Sequence, residues 1–456
     1  MDQRLAADRA ALPELLELTG RFAATALAAV EDRPAAVSVR PEGSAPLPRD
    51  GVGLAAALEL FARRWEPTFS GSAGARYLGF VTGGATPAAV AGDWLATAFD
   101  QNAGNGGGSG ATTLELETVA WLREAFGLGE AFGGTFVSGA TMSNVVGLAI
   151  AREWLGERLG VDVARQGVGA LGEVVVLSGT PHSSVFKALS MLGLGRDSLR
   201  PVTVQPDREA VDLAALEAAL AALDGAPAIV VANAGTVNTV DYDDLAAIAE
   251  LRERYPFWLH VDAAFGGFAA LHPEHAHLVV GLDRADSVCV DLHKWLNVPY
   301  DSAVQFTRRP DLQARVFQNS AAYLGTPGSP TDLLHLTPEN SRRLRALAAW
   351  FSLTAYGIAG HRDIVVRNVA SAHRVGAALA TIPGVRLLAP VRFNVVCLAV
   401  PGDPAEVAAA VADTGETFVT PTVYAGTPGL RLAFSNWRTG ESDEDRIVAA
   451  FRKVLG

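Results

Sequence analysis

The sequence predicts an α/β fold with a mainly parallel central sheet, and three features of the chain support this prediction. First, short apolar segments alternate with helical patterns, which is typical of a parallel sheet covered by helices on both faces. Second, polar residues follow directly after these segments, and ligands of such sheets bind beyond the carboxyl ends of the strands. Third, 456 residues with 49% hydrophobic content can bury a large core. The predicted strands are 135–138, 174–177, 228–232, 258–261 and 287–290.

The order of these patterns divides the chain into three predicted regions. Residues 1–74 form a helical N-terminal arm, residues 75–344 a large α/β domain, and residues 345–456 a small C-terminal α+β domain. The helices predicted in the arm are 5–18, 21–30 and one that ends near Trp65. The elements predicted in the small domain are a helix over 345–380, strands over 385–388 and 395–400, and a helix over 404–412.

Charge and cysteine content limit the classes of partner and site. The formal net charge of -12 argues against nucleic acid or an anionic membrane as the main partner, since either calls for a basic patch. Cys289 and Cys397 lie in apolar segments, where we expect them to be small buried hydrophobic residues. No disulfide framework, zinc site or signal segment is indicated, so we expect a cytoplasmic protein without a metal.

Lys294 is the first candidate for a catalytic residue. It follows the predicted strand 287–290, and lysine is rare here, because only Lys187, Lys294 and Lys453 occur among the 37 basic residues. An amine that loses hydration at a buried strand end can form a Schiff base with an aldehyde, which arginine cannot do. An isolated lysine at this place would more simply solvate a loop.

The context of a second strand end favours the catalytic interpretation. Asp262 ends the apolar segment before Ala263, and a carboxylate there needs a cationic partner, such as a protonated pyridine nitrogen. With the motifs HVDAA at 260–264 and DLHKW at 291–295 in view, the sequence resembles the group II pyridoxal-dependent decarboxylases, which include the aromatic-amino-acid, glutamate and cysteine-sulfinate enzymes. The resemblance extends from about Ala75 to the C-terminus.

This resemblance implies a fold-type I enzyme that uses pyridoxal 5'-phosphate (PLP). Lys294 would bind the cofactor covalently, Asp262 would face its ring nitrogen, and His182 would stack on its ring where the substrate carboxylate leaves. Thr236 would lie beneath the ring near the phenolic oxygen. The further cofactor contacts implied by the family are Ala140, Thr141, Ala264 and His293.

The turn 138–144 opens a predicted helix, so its free amides and the positive end of the helix dipole can hold an anion. Taken alone, the same pattern is also typical of an ordinary helix start. Beside Lys294 it becomes the expected phosphate site. Asp291 lies where many relatives have asparagine near the phosphate, and a second anion there is unfavourable unless it is paired or turned away.

The substrate side is less well determined. The segment 76–87 reads as a strand followed by a glycine turn, and similar segments in the family line the substrate side of the cofactor. We therefore expect Tyr77, Phe80 and Thr82 to form a pocket wall, with a simple connecting role as the alternative. An aromatic amino acid is favoured as substrate only by its frequency in the family.

The irregular region 318–343 is consistent with an active-site lid. At the position where aromatic-amino-acid decarboxylases carry a catalytic tyrosine, this chain has Leu333, which cannot donate a proton. The proton must then come from His335, Tyr323, His182 or water, unless dioxygen captures the intermediate. His335 ranks first because its usual pKa suits acid catalysis near neutrality, while a surface histidine on a loop is the alternative.

Three functions follow from these residues. The leading prediction is PLP-dependent decarboxylation of an L-amino acid to the amine and CO₂ by a homodimer whose N-terminal arm packs across the partner, as the resemblance implies. The second is another outcome at the same site: decarboxylation with oxidative deamination to an aldehyde, transamination or retro-aldol cleavage. The third is a non-catalytic PLP-binding protein, which the presence of Lys294, Asp262 and His182 disfavours.

Overall fold

The structure is a computed structural model that describes residues 1–38, 43, 45–319 and 332–456. The strands are β1 (Gly133–Val137), β2 (Val176–Ser178), β3 (Leu199–Pro201), β4 (Ala228–Asn233), β5 (Phe257–Asp262), β6 (Ser287–Asp291), β7 (Ala303–Thr307), β8 (Arg386–Leu387), β9 (Val395–Ala399), β10 (Thr420–Tyr424) and β11 (Thr427–Ala433). The helices are α1 (Gln3–Ala10), α2 (Leu12–Ala28), α3 (Leu54–Arg64), α4 (Pro87–Phe99), α5 (Ala111–Ala125), α6 (Ala140–Leu159), α7 (Val163–Gln166), α8 (Ser183–Met191), α9 (Leu213–Ala221), α10 (Leu245–Glu250), α11 (Leu292–Trp295), α12 (Pro310–Phe317), α13 (Ala346–Leu379), α14 (Pro404–Asp413) and α15 (Glu441–Leu455).

The larger sheet has seven strands in the order β1-β7-β6-β5-β4-β2-β3. The pairs from β6 to β3 are parallel, and β7 is antiparallel to both β1 and β6. Six strands therefore run in one direction, which confirms the prediction of a mainly parallel sheet. Because their carboxyl ends lie along one edge, the residues that follow them approach each other there.

The five predicted strands are all present, with small shifts at their ends, but the sequence did not reveal β3 and β7. β3 is a three-residue edge strand with two exposed residues. β7 contains Gln305 among its buried residues, so it lacks a continuous apolar pattern. The order of β7 within the sheet depends on pairing with distant strands, which local sequence does not reveal.

Helices cover both faces of this sheet. On one face α6 packs against α8, and their side chains Val146, Ile150, Val185 and Leu189 form an apolar cluster. The other face carries a larger cluster that includes residues of α4, α5 and α13. α6 ends at Gly160, which adopts the left-handed conformation (φ 71°) that glycine tolerates without a Cβ clash.

The smaller sheet is antiparallel, with the order β10-β11-β9-β8, and lies in the C-terminal region. The predicted strand over 76–87 is wrong: Tyr77 forms only an isolated bridge with Phe418. Leu78 also bonds to this sheet region, because its N–H donates to Phe418 O and its carbonyl accepts from Ala433 N. The start of the predicted large domain thus packs against the small one, and the proposed domain boundaries stay a prediction.

The N-terminal arm differs in detail from the prediction. The helix predicted over 5–18 is broken at Ala11, after which α2 begins with Pro13 in its first turn and continues to Ala28. α1, α2 and α3 contain no buried residue, and Leu5, Leu12 and Leu16 are exposed.

Two further predictions can be compared with the structure. Cys289 and Cys397 are buried and free, as predicted. Among the described residues, no helix has the combination of length and apolar character needed to cross a membrane.

Candidate active site

A cavity lies at the carboxyl edge of the larger sheet. Lys294, Asp262 and His182 all line it, although they follow three different strands. The complete lining is Ala140, Thr180, His182, Asn233, Gly235, Thr236, Val237, Asp262, Ala264, Phe265 and Lys294. Six of the residues predicted for the site therefore meet in one cavity.

Lys294 lies in the short helix α11, directly after β6. Its Nζ is 3.5 Å from Asp291 Oδ2 and 5.5 Å from the centre of the Phe265 ring. Its side chain is 19% exposed, so the amine is partly desolvated yet still accessible from the cavity. This is the placement that a lysine nucleophile requires.

Asp291 is the second carboxylate whose position the sequence left in doubt. Its Oδ1 lies 2.9 Å from His293 Nδ1, and its Oδ2 faces Lys294. Asp291 Oδ1 and His293 Nδ1 are close, but their geometry is not that of a hydrogen bond. Asp291 is therefore paired with a cation instead of standing as an isolated anion.

Asp262 ends β5 and is 7% exposed. Its Oδ2 accepts a hydrogen bond from Asn144 Nδ2 (2.9 Å), and its Oδ1 accepts one from Ala264 N (3.1 Å). Hydrogen bonds from two donors favour the ionised carboxylate. The residue therefore presents a fixed negative charge to the cavity.

His182 caps the N-terminus of α8. Its Nδ1 accepts from Ser184 N (3.2 Å) and lies 2.8 Å from Ser184 Oγ. The ring is accessible from the cavity, but the surrounding protein atoms desolvate it and lower its pKa, an effect that Asp262 partly opposes. His182 is thereby kept neutral near neutral pH, with Nδ1 occupied as an acceptor.

The start of α6 supplies the expected anion site. Residues 140–142 are its first three positions, whose amides have no intrahelical acceptor. Ala140 lines the cavity, and Thr141 follows it in the same turn. His293 lies beside this turn, since a Cβ built on Gly139 would be 3.5 Å from its Cε1. Thr141 and His293 are next to the cavity without lining it.

Thr236 lines the cavity, but its hydroxyl is engaged elsewhere. Thr236 Oγ1 donates to Glu209 Oε2 (2.5 Å) and accepts from Asp241 N (2.9 Å). Both Thr236 and Glu209 are buried. The hydroxyl thus holds the loop 235–241 in place, and only the rest of the side chain is left to face a cofactor ring.

The predicted substrate wall does not line this cavity. Tyr77 stacks on Phe418 with ring centres 4.7 Å apart, and Phe80 is 59% exposed with a positive φ of 59°. Thr82 precedes Gly83, where a Cβ would lie 2.0 Å from Lys294 O. The backbone next to Thr82 therefore packs against the backbone of Lys294. The role of Tyr77, Phe80 and Thr82 as a substrate wall stays a prediction.

The predicted proton donors of the lid are placed differently from the expectation. His335 is buried (2% exposed) in a 3₁₀ turn with Leu333, and its Nδ1 accepts from Asn319 N (3.1 Å). The surface-loop alternative for His335 is thus wrong, and His335 is not among the residues that line the cavity. Tyr323 lies outside the described residues.

Two residues near the cavity were not singled out from the sequence. Asn144 contacts Asp262, and Arg431 donates from Nη1 to the carbonyl of Val237, a lining residue (2.9 Å). Arg431 is 6% exposed, and burial lowers its pKa to about 10. The sequence offered one signal for each: Asn144 is in the second turn of the helix that starts at the phosphate site, and Arg431 lies in the LRLAF segment 430–434.

The donor set fits PLP. The cavity offers an amine for the aldehyde, a fixed carboxylate for the ring nitrogen, a histidine ring, and free helix amides for the phosphate. These groups come from β1, β2, β5 and β6, so the fit depends on the sheet and not on one local motif.

Comparisons with known proteins agree with this chemistry. Residues 76–400 match the pyridoxal-dependent decarboxylase conserved domain. The aromatic-L-amino-acid decarboxylase of Bacillus atrophaeus is 29% identical over 328 residues, which cover 70% of this chain and 66% of that relative. The tryptophan decarboxylase TDC2 of Camptotheca acuminata is 28% identical over 80% of this chain and 77% of its own length.

Solved structures show the same fold. Oryza sativa TDC, solved with PLP and tryptamine, aligns with a TM-score of 0.89 at 24% identity, covering 98% of both chains. Mouse CSAD aligns with a TM-score of 0.89 at 22% identity, covering 98% of this chain and 99% of that one. Because the family match covers most of the sequence and contains Lys294, Asp262 and His182, the chain belongs to the pyridoxal-dependent decarboxylases, a family of PLP-dependent carboxy-lyases.

Proposed function

We propose that this protein removes the α-carboxylate of an aromatic L-amino acid and releases the amine and CO₂. The observation that carries the proposal is the meeting of Lys294, Asp262 and His182 in one cavity beside the start of α6. The aromatic substrate class rests on the aromatic-amino-acid and tryptophan decarboxylases among the relatives. It is a proposal for this chain, since a diaminobutyrate decarboxylase is also among them.

PLP would be held at both ends by residues of this chain. Lys294 would bind the aldehyde carbon, and the amides of 140–142 with the Thr141 hydroxyl would bind the phosphate. Asp291, whose Oδ2 lies 3.5 Å from Lys294 Nζ, would pair with this amine while no cofactor is bound. When bound, PLP accepts the electron pair that departing CO₂ leaves behind.

Asp262 would keep the ring nitrogen of bound PLP protonated. Its carboxylate is held by Asn144 and by the Ala264 amide, so it needs no reorganisation when charge develops during the reaction. Ala264 lines the cavity next to Asp262.

His182 and Arg431 orient the substrate carboxylate. Arg431 lies close enough to His182 to contribute to the lowering of its pKa, and its guanidinium is anchored on Val237 O beside the cavity. A buried arginine attracts a carboxylate. After CO₂ departs, the carbon that carried it must take up a proton.

Protonation of that carbon completes the reaction. Water is the donor that this proposal favours, because His182 is kept neutral and His335 is buried away from the lining. Tyr323 remains a candidate from the lid. Leu333, which is fully buried, supplies no proton.

Aromatic rings outside the cavity lining support an aromatic substrate. Tyr77 stacks on Phe418, Phe80 is 6.4 Å from the same ring, and the Tyr300 ring is 4.4 Å from that of His293. Phe80 and Tyr300 are 59% and 64% exposed, so they leave apolar surface free for an arriving side chain.

Homodimer formation and a cytoplasmic location belong to the same proposal. The exposed leucines of α1 and α2 supply apolar surface for a second copy. Size measurement in solution tests the oligomer directly.

A screen of the common L-amino acids tests the proposed reaction. The protein is loaded with PLP, CO₂ release is measured for each amino acid, and amine, aldehyde, ammonia and peroxide are quantified in the same samples. The expected result is CO₂ and amine in equal amounts from an aromatic substrate, with Lys294→Ala as the inactive control. Aldehyde with ammonia and peroxide would instead assign the oxidative alternative, for which the absence of a tyrosine at Leu333 is the motivating observation. Absorbance of bound PLP without turnover of any amino acid would reject both.

A further inference from the structure

Asn144 is a fully buried amide whose hydrogen-bonding groups are all used. Its Nδ2 donates to Asp262 Oδ2 (2.9 Å) and to Ser184 Oγ (3.0 Å), and its Oδ1 lies 2.9 Å from His260 Nε2. An amide offers two N–H donors and one acceptor oxygen in these directions. Asn144 thus joins Asp262 to His260 directly and to His182 through Ser184.

The partners of Asn144 fix the direction of each hydrogen bond. An ionised Asp262 only accepts, so the amide nitrogen must face it and the amide oxygen must face His260. That oxygen also only accepts, so His260 must carry a proton on Nε2. Complete burial lowers the pKa of His260 to about 4, so the ring is neutral at pH 7 and its Nδ1 is unprotonated.

The hydrogen bonds on the other side of His260 agree with a proton on its Nε2. His260 Nδ1 lies 2.8 Å from Ser287 Oγ, which accepts from Trp258 Nε1 (2.9 Å). Because an indole nitrogen only donates, the Ser287 hydroxyl is free to donate to the bare Nδ1. Every donor from Trp258 to Asp262 then has an acceptor.

The second branch reaches His182. The backbone N–H of Ser184 donates to His182 Nδ1, so a neutral His182 carries its proton on Nε2. The Ser184 hydroxyl accepts from Asn144 and donates to the same Nδ1, at 2.8 Å. Because Ser184 occupies Nδ1, the Nε2–H of His182 is the N–H that stays free.

The helix also makes room for this arrangement. Gly147 lies three residues after Asn144 on α6, and a Cβ there would be 2.5 Å from His260 Cε1 and 2.7 Å from its Nδ1. Any larger residue would displace the His260 ring from the amide. Asn144 and Gly147 thus lie on one face of the helix, where Gly147 leaves space for the His260 ring and Asn144 Oδ1 accepts its hydrogen bond.

We propose that Asn144 is a positioning residue that holds Asp262 as the ionised partner of the cofactor ring and fixes both His260 and His182 as Nε2-protonated rings. Its contribution to the reaction rests on the proposed function, whereas the assignment of protons concerns the protein without cofactor. Asn144 acts through Asp262 and His182 and does not itself line the cavity.

The test is nitrogen NMR of the full-length protein labelled with ¹⁵N in histidine, measured with and without PLP. The two rings are assigned from the spectra of His260→Gln and His182→Gln, and the nitrogen shifts show which nitrogen of each carries the proton. The wild-type protein is expected to have both rings neutral with the proton on Nε2. A proton on Nδ1 of either ring would overturn the proposal.

Substitutions separate the amide from a general effect of burial. In Asn144→Leu, which keeps the branching, His260 loses its acceptor and its proton is expected to move to Nδ1, toward Ser287. The dissociation constant for PLP should rise at least tenfold, because Asp262 loses a donor. Ser287→Ala should leave the His260 proton on Nε2. Asn394→Leu, another fully buried amide, is the control and should leave both rings and PLP affinity unchanged.

Asn144→Asp covers the case in which the leucine variant does not fold. This change keeps the shape but removes both donors, and the added carboxylate should make His260 doubly protonated at pH 7. An unchanged His260 signal in the folded aspartate or leucine variant would refute the role of Asn144. If the wild-type protons are placed as stated but no amino acid is decarboxylated, the proposed function fails and the proton assignment stands.

Discussion

Replacing Asp262 with asparagine tests the electrostatic centre of the proposed site. The carboxylate accepts from two donors, Asn144 Nδ2 and Ala264 N, at 2.9 and 3.1 Å. An amide has one acceptor oxygen, so in Asp262→Asn one of the two donors must face an NH₂ group. The variant keeps the size of the side chain and removes its charge.

Two magnitudes follow from these contacts. Loss of one hydrogen bond to a charged group should lower the free energy of unfolding of the cofactor-free protein by about 1.5–3 kcal/mol. Loss of one preorganised charge at the ring nitrogen should raise the activation barrier by about 3–4 kcal/mol, which corresponds to a roughly 10²–10³-fold lower rate of CO₂ release.

The assay measures kcat at saturating PLP and amino acid, together with urea unfolding of the cofactor-free protein. Asp286→Asn is the matched control, because Asp286 is also buried and accepts from a backbone amide, Leu259 N (2.8 Å), but lies at the other end of β6. The control should lose stability and keep its rate. Activity of Asp262→Asn within threefold of the parent would remove Asp262 from the proposed role.

Three further predictions concern the lysine, the lid and acid stability. Lys294→Ala should lose the visible absorbance of bound PLP, whereas the exposed control Lys187→Ala should keep it; equal spectra would contradict the assignment. Because Leu333 is fully buried, Leu333→Tyr should lower the free energy of unfolding by about 1–3 kcal/mol through overpacking and leave the ratio of amine to aldehyde unchanged; an increase in amine would place position 333 at the site. Burial lowers the pKa of His361 to about 4, so between pH 6.5 and 4 the unfolded chain binds more protons there and stability falls as the pH falls. His361→Leu should make that decline shallower by up to about 1.4 kcal/mol per pH unit in urea unfolding, and an unchanged slope would mean that His361 does not titrate as stated.

The sequence alone determined the parts of this protein that local pattern controls. The five apolar strands were visible because a strand buried on both faces is continuously apolar. Lys294, Asp262 and His182 each lie at the carboxyl end of such a strand, and parallel strands bring these ends to one edge, whereas the roles expected of the three residues came from the resemblance to the decarboxylase family. The strand predicted over 76–87 failed because its glycines serve close packing, as at Gly79, where a Cβ would lie 2.3 Å from the Phe418 ring.

Only the tertiary structure decided how those residues are supported. Asn144 meets Asp262 across 118 positions and His260 across 116, and no local pattern encodes an amide's partners at such separations. The burial of His335 likewise depends on where its turn docks. Local sequence fixes strand type and strand ends because backbone periodicity is local, whereas charge, proton position and burial are set by side chains that the sheet brings together from distant parts of the chain.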